Sequence, residues 1–211
     1  MKLKIKDHQT LILSCIFSLV VVIIRVLLTA ELRFIFLVWN LLLAIIPYLM
    51  ALKAQHLSSK IKSSLLILFS ILFLPNASYI ITDLFHLRFY SGSLIWLDTV
   101  LILSFALNGL WFFFLSISEI TNWFTKNTFI KREFSITFIL VFLSSFGMYL
   151  GRYLRFNSWD ILANPVYLFY EIADRFFNPF LHPRTWGMTV LYSGFLFIAY
   201  LAFKQSKIKV L

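Results

Sequence analysis

Six long runs of apolar residues divide the chain, and each is long enough, or nearly so, to cross a membrane as a helix. A helix needs about 20 mostly apolar residues to span a hydrocarbon core about 30 Å thick. The runs predict spans over residues 11–28, 34–52, 65–81, 97–120, 134–154 and 185–203. The predicted fold class is therefore all-α, with residues 1–211 forming one polytopic membrane domain of six transmembrane helices.

The composition excludes a water-soluble globular domain. Hydrophobic residues make up 61% of the chain and charged residues 13%, whereas a soluble domain has roughly 25% charged residues. Lys2, Lys4 and Lys6 before the first run resemble the start of a signal peptide, but no small-x-small cleavage pattern follows, so we expect an uncleaved span. The single cysteine, Cys15, excludes an intrachain disulfide.

Lysine and arginine separate when the loops are assigned alternately to the two sides of a membrane. All eleven lysines and Arg132 fall on one side, and the other side carries Arg33, Arg88, Arg152, Arg155, Arg175 and Arg184. We call these the lysine side and the arginine side. The positive-inside rule places the lysine side, with both termini, in the cytoplasm. The net charge of +10 then reflects topology, and the expected partner is the lipid bilayer, with no nucleic acid.

The longest loop, residues 152–184, predicts an amphipathic helix outside the cytoplasm. Asn164 suits the N-cap, Pro165 suits the first helical position, and Asn178 with Pro179 ends the helix. A polar face with helical spacing is formed by Glu171, Asp174, Arg175 and Asn178, and the remaining positions are largely aromatic or aliphatic. This helix is expected either to lie along the membrane surface or to cover a cavity as a lid.

A break is predicted in the third run at Pro75. Proline removes a backbone donor and frees a carbonyl near Ile71, and Asn76 is then expected to cap a restarted helix. From Asn76 onward, polar residues recur at +3, +7, +10 and +14 on one helical face, as Tyr79, Asp83, His86 and Tyr90. Such a stripe should face protein rather than lipid.

A second polar group reaches the same side from the end of the fifth run and the start of the fourth. Charges at membrane depth are costly unless they are paired, and they indicate a functional site. The candidate ligand-binding residues are Asn76, Tyr79, Asp83, His86, Asp98, Arg152, Arg155, Asn157 and Asp160. Gly147 and Gly151 form a small-xxx-small pair that would let another helix approach closely.

Three interpretations of this cluster remain open. Arg152 and Arg155, with His86 and Asp83, could bind an anionic or zwitterionic small molecule or lipid headgroup in an outward-facing pocket. Asp83 and His86 could instead be the catalytic acid and base of a membrane enzyme, which predicts a hydrogen bond between them. The third interpretation is a purely structural ion-pair network, which predicts no cavity.

Other chemistry is less strongly indicated. Asp83 and His86, three residues apart, could contribute to a metal site, but zinc needs about three protein ligands and no spacing singles out His182 as the third, so no metal or cofactor is assigned. Asn40 and Asn108, inside the second and fourth runs, are expected to make interhelical hydrogen bonds. Arg25 is expected to reach toward the arginine side and pair with Glu31.

Two sequence motifs resemble a bacterial family of multi-pass membrane proteins known as domain of unknown function 1361. The first is LPNASYIITDLFHL at residues 74–87, followed by Trp96 and Asp98, and the second is GRYLRFNSWD at residues 151–160. The resemblance extends from about Leu37 to Phe203, with Ser78 at a position where proline is usual. It implies a protein of the bacterial cytoplasmic (inner) membrane and no assigned activity.

Overall fold

The computed structural model describes residues 5–89, 94–129 and 131–209, and these residues form an all-helical multi-pass membrane protein. Six of the described helices are long and apolar enough to cross a membrane, which confirms the predicted six spans. They are α1 (Ile5–Thr29), α2 (Phe36–Ala54), α3 (Lys60–Tyr79), α4 (Ile95–Asn127), α5 (Glu133–Leu154) and α8 (Pro183–Lys209). In the long loop lie α6 (Asp160–Ala163), α7 (Pro165–Phe177) and a 3-10 helix, Pro179–Leu181. Lys2, Lys4 and Tyr90 lie outside the described residues.

The central helix of the bundle is α4, which contacts α1, α2, α3 and α5. Several of its large side chains, such as Phe105, Phe113 and Ile117, are fully buried. The outer helices α1 and α8 instead expose large apolar side chains such as Leu27 and Leu191. An apolar outer surface around a packed centre suits a lipid environment, in which such exposure carries no penalty.

The third span continues through Pro75, so the predicted helix break is wrong. α3 runs from Lys60 to Tyr79, and Asn76 caps no new helix. The chain then tightens into a 3-10 helix, Ile80–Phe89, instead of the expected α-helix. Because a 3-10 helix has three residues per turn, Asp83 and His86 lie one above the other on the same side.

Glycines allow α3 to pack closely against α4 and α5. A Cβ atom at Gly109 of α4 would lie 2.7 Å from the Ala77 carbonyl oxygen, and one at Gly147 of α5 would lie 2.6 Å from Cγ of Pro75. A Cβ atom at Gly151 would lie 3.2 Å from the Tyr79 ring. The small-xxx-small contact is therefore confirmed, with α3 as the partner, and it brings the end of α5 beside the 3-10 helix.

Gly109→Ala is expected to destabilise the fold by about 1 to 3 kcal/mol, the usual cost of overpacking. The new methyl group would meet the Ala77 carbonyl, which belongs to the backbone of α3 and moves only if the helix moves. The matched control is Gly194→Ala on α8, where the added Cβ atom would have no atom of a packed neighbour within 4 Å. Replacing glycine by alanine inside a helix also stabilises the helix by up to about 1 kcal/mol. Thermal unfolding in detergent compares the two. Equal melting temperatures would contradict the close approach of α3 and α4.

The predicted amphipathic helix is α7, and its two faces have different surroundings. Leu168 is buried against Phe146, Tyr149 and Leu150 of α5. The other face exposes Val166, Phe169, Tyr170 and Phe177. Pro165 occupies the first turn as expected, but Asn164 makes no side-chain capping hydrogen bond. One face of α7 thus packs on the bundle, while the other is as apolar as a helix at a membrane surface.

Asp174 joins the end of α7 to the start of α8. It accepts a hydrogen bond from Asn178 Nδ2 at 2.7 Å and lies 2.6 Å from His182 Nε2. The Asn178 hydrogen bond first, and the contact with His182 second, lower the pKa of the Asp174 carboxyl. A carboxyl whose pKa is lowered by folding stabilises the folded state above its unfolded pKa. That contribution is lost as the pH falls through the folded value.

Asp174→Asn is expected to be less stable than the wild type at neutral pH, with a difference that shrinks below about pH 4, near the unfolded pKa of aspartate. The reason is that protonated Asp174 resembles the asparagine of the variant, so the two proteins become alike in acid. Melting temperatures measured from pH 7 to pH 3 test this expectation. A difference that stays constant down to pH 3 would contradict it.

Candidate functional site

A pocket of about 420 Å³ lies at the arginine side of the bundle, between α2, α3 and α5 and against α6 and α7. Its polar lining consists of Asn40, Asn76, Tyr79, Asp83, His86, Arg152, Asn157 and Ser158. Six of the nine candidate residues predicted from the sequence are among them. The remaining lining is mostly apolar, with Phe36, Leu72, Leu150 and Leu168 as examples.

Asp83 lies at the centre of the polar lining and is 1% exposed. One of its oxygens accepts a hydrogen bond from Arg152 Nη2 at 2.5 Å, and the other accepts one from Asn40 Nδ2 at 3.0 Å. Arg152 also donates from Nε to the Thr82 hydroxyl at 2.9 Å. These contacts join α2, the 3-10 helix and α5, and both carboxylate oxygens have a partner. A buried ion pair with its hydrogen bonds made is the form that a membrane interior tolerates.

One guanidinium nitrogen of Arg152, Nη1, takes no part in the ion pair with Asp83. Its guanidinium carbon lies 4.6 Å from the centre of the Tyr79 ring, a cation–π contact that holds the group in place. Nε and Nη2 are occupied by Thr82 and Asp83. Nη1 makes no hydrogen bond within the part of the chain that the structure describes, and Arg152 lines the pocket. Arg152 therefore contributes to the pocket lining a charged side chain with one donor nitrogen that no described residue uses.

His86 lines the pocket, and one of its two ring nitrogens is engaged by the backbone. Its Nδ1 lies 3.1 Å from the Asp83 carbonyl oxygen, and because a carbonyl only accepts, Nδ1 carries the hydrogen. The ring packs against Phe36 at 5.2 Å between centroids. Nε2 is left as the nitrogen that can contact a ligand, as an acceptor in the neutral ring.

The expected hydrogen bond between the Asp83 carboxylate and His86 is not formed. His86 Nδ1 lies 3.8 Å from Asp83 Oδ1, which is beyond hydrogen-bond distance. The carboxylate is instead occupied by Arg152 and Asn40. The geometry that the enzyme interpretation requires of these two residues is therefore absent.

Ser158 connects the loop after α5 to α3 at the wall of the pocket. It accepts a hydrogen bond from Asn76 Nδ2 at 2.9 Å and donates one to the Leu72 carbonyl at 3.2 Å. Because Asn76 donates from Nδ2, its Oδ1 remains an acceptor. Sequence reasoning included Asn76 in the site and missed Ser158, although Ser158 lies inside the second motif.

The sequence model of the family described as protein of unknown function (DUF1361) matches residues 39–199. The chain belongs to this family. The matched range contains every polar residue of the pocket. No curated protein and no solved structure matches the chain. Since membership of DUF1361 assigns no activity, the function has to be argued from the pocket itself.

Three candidate residues of this DUF1361 protein do not line the pocket. Asp98 forms a separate buried pair with Arg25, with Nε and Oδ1 2.5 Å apart, between α4 and α1. Arg155 is exposed and ends α5 in a left-handed conformation with φ of 61°. Asp160 accepts a hydrogen bond from the Asn157 backbone at 2.6 Å and so closes the turn before α6.

Two expected contacts of polar residues in the spans are confirmed and one is wrong. Asn40 bonds Asp83, and Asn108 donates to the Ser18 hydroxyl of α1 at 2.8 Å. The expected pair of Arg25 with Glu31 is wrong, because Glu31 pairs at 3.1 Å with Arg33 on the surface and Arg25 pairs with Asp98.

The residues considered for a metal site are not brought together. His182 pairs with Asp174 in the segment between α7 and α8, whereas Asp83 and His86 lie on the 3-10 helix. Among the residues that the structure describes, no three His, Cys, Asp or Glu side chains form a group that could hold a metal ion.

Proposed function

We propose that this protein binds the charged group of an anionic or zwitterionic small molecule or lipid in the pocket, at the outer face of a bacterial cytoplasmic membrane. The observation that carries this proposal is Arg152, a pocket-lining residue whose guanidinium is held by Asp83 and Thr82 and whose Nη1 has no hydrogen-bond partner among the described residues. The placement at the outer face rests on the separation of lysine from arginine. The bacterial origin rests on the family resemblance.

The charge balance of the pocket favours a zwitterion over a multiply charged anion. Asp83 neutralises Arg152, so the lining carries no net formal charge while His86 is neutral. Arg152 Nη1 would donate to an anionic oxygen of the ligand, since arginine binds carboxylate and phosphate well. The acceptors Asn76 Oδ1 and His86 Nε2 would receive hydrogens from a ligand ammonium group.

Neither alternative interpretation explains the pocket as well. A purely structural network predicts no cavity, whereas a cavity of about 420 Å³ lies beside the pair. An enzyme that uses Asp83 as its base needs an accessible carboxylate, whereas the Asp83 side chain is 1% exposed and paired with Arg152. The Asp83–Arg152 pair is therefore interpreted as the support for the binding group.

Thermal unfolding with added ligands tests the proposal. The probes are the soluble zwitterion glycerophosphoethanolamine, and dioctanoyl phosphatidylethanolamine and dioctanoyl phosphatidylglycerol. Binding to the folded state should raise the melting temperature in a saturable way, by an amount equivalent to about 2.7 kcal/mol at a hundred times the Kd. We expect the largest shift with a zwitterionic probe.

Two variants fill the pocket and one serves as control. Leu72→Trp and Leu43→Trp enlarge lining residues on different helices, so failure of one variant to fold leaves the other. Both should abolish the ligand-dependent shift. Leu191→Trp introduces a tryptophan on the exposed surface of α8, outside the pocket, and should keep the ligand-dependent shift of the melting temperature. The proposal is overturned if no probe stabilises the wild type, or if both filled variants retain the full shift.

A further inference from the structure

The pocket continues into an apolar stripe on the surface of α3. The lining residues Leu72, Asn76 and Tyr79 lie on one helical face. The same face continues toward the lysine side through Leu68 and Leu65, because residues separated by three, four, seven and eleven positions lie on one side of a helix. Leu68 is 61% exposed and Leu65 is 49% exposed. The polar pocket and the exposed apolar stripe are thus parts of one surface.

α2 and α5 form the two sides of a groove along this stripe. Both helices pack on α3, and they make at most marginal contact with each other among the described residues. On α2, Trp39 lines the pocket and is 56% exposed. On α5, Leu143 lies two turns from the lining residue Leu150 and is 48% exposed. The groove is therefore open sideways, toward the lipid that surrounds the bundle.

The short helices after α5 cover the other end of the pocket. Ile161 of α6 and Leu168 and Ile172 of α7 belong to its lining. These residues follow the end of α5, so they lie at the arginine side, where the membrane meets water. With α6 and α7 at its arginine-side end and the groove beside it, the pocket favours entry from the lipid over entry from water.

We infer that the ligand is a membrane lipid, which enters the pocket sideways from the bilayer through the groove between α2 and α5. Its zwitterionic headgroup lies at Arg152 and His86, and one acyl chain lies along the α3 stripe. This inference rests on the proposed binding function and names the ligand class. From Asn76 to Leu65 the stripe is about 16 Å long at 1.5 Å per residue. That length equals about half of a 30 Å hydrocarbon core, the depth of one leaflet.

The energetics favour a lipid over a soluble solute of the same headgroup chemistry. An acyl chain that moves from the bilayer to the groove exchanges one apolar environment for another, so its transfer costs little. The headgroup exchanges interfacial water for Arg152, His86 and Asn76. The apolar part of the lining, such as Phe36 and Leu150, would gain nothing from a purely polar solute.

Photo-crosslinking tests where the acyl chain lies. The probe is lysophosphatidylethanolamine with a diazirine in its acyl chain, added to the purified full chain in a nonionic detergent. We expect labelled peptides from residues 61–72 of α3 and 139–150 of α5, and loss of that labelling with excess unlabelled lysophosphatidylethanolamine. Labelling of exposed α8 around Leu191 should not be lost, since lipid there is not bound in a site. Leu72→Trp should remove the displaceable labelling, and Leu191→Trp should leave it.

A soluble headgroup compound distinguishes sideways binding of a lipid from binding of a headgroup alone. Suppose that glycerophosphoethanolamine stabilises the wild type as strongly as lysophosphatidylethanolamine, and that labelling of α3 matches that of α8 and resists competition. Sideways binding of a lipid is then overturned, while the proposed binding function stands. If neither compound stabilises the wild type and no labelling is displaceable, both are overturned. Displaceable labelling confined to α3 and α5 supports both.

Discussion

Arg152→Gln is expected to lower the free energy of unfolding by about 3 to 5 kcal/mol, as removal of one partner from a buried ion pair does. The variant leaves the Asp83 carboxylate, which is 1% exposed, with Asn40 as its remaining side-chain donor. It also removes the cation–π contact with Tyr79. Equilibrium unfolding in detergent, or the melting temperature where unfolding is irreversible, measures the loss.

The partner variant and a nearby arginine supply the controls. Asp83→Asn should cost less than Arg152→Gln, because Arg152 is 14% exposed beside a cavity that can hold water. The two substitutions together should cost less than the sum of their separate effects, since they remove one shared interaction. Arg155→Gln makes the same chemical change on an exposed residue and should stay within about 0.5 kcal/mol of wild type. Equal stability of the Arg152 and Arg155 variants would contradict the buried pair.

Arg152 both stabilises the fold and is the proposed donor to the ligand, so its substitution is a poor test of binding. A protein destabilised by several kcal/mol loses ligand shifts for reasons unrelated to the site. The pocket is better tested at Leu72 and Leu43, whose side chains line the cavity and belong to neither ion pair. The structure thus separates the residues that hold the pocket open from those that decide whether a ligand fits.

Much of the fold and of the candidate site follows from patterns that are local in the sequence. A run of about 20 apolar residues predicts a transmembrane helix, and all six predicted spans are helices. Asn76, Tyr79, Asp83 and His86 lie close together along the chain, so a continuous helical segment brings them to one end of the bundle, although a 3-10 helix replaces the predicted α-helix from Ile80 onward. Arg152 joins them because Gly147 and Gly151 bring α5 against α3.

The errors occur where tertiary packing decides between local alternatives. Pro75 remains inside α3, and the glycine at position 147 leaves room for its ring. The Ser158 hydroxyl also bonds the adjacent Leu72 carbonyl from another part of the chain. Arg25 has Glu31 nearby in sequence, yet the packing of α1 on α4 places it against Asp98. Neither the continuation of α3 through Pro75 nor the pairing of Arg25 with Asp98 can be recognised from the residues nearby in the sequence.

The pair of Arg25 and Asp98 provides the second large effect that we expect. Both side chains are buried, at 8% and 4% exposed, and neither lines the pocket. Arg25→Gln should therefore cost about 3 to 5 kcal/mol, because the Asp98 carboxylate would lose its charged partner. Unfolding of this variant beside Arg33→Gln, which breaks an exposed pair, measures the effect. The Arg33 variant should cost no more than about 1 kcal/mol.

Replacing each whole pair by leucine then distinguishes a structural pair from one that also serves a ligand. Removal of both charges from a buried pair is often neutral or stabilising by about 1 to 4 kcal/mol. Arg25→Leu with Asp98→Leu should thus recover stability and keep the stabilisation by lysophosphatidylethanolamine. Asp83→Leu with Arg152→Leu should recover stability and lose that stabilisation, since the donor on the pocket wall is gone. Loss of the ligand effect in the first double variant, or its survival in the second, would contradict the roles assigned to the two pairs.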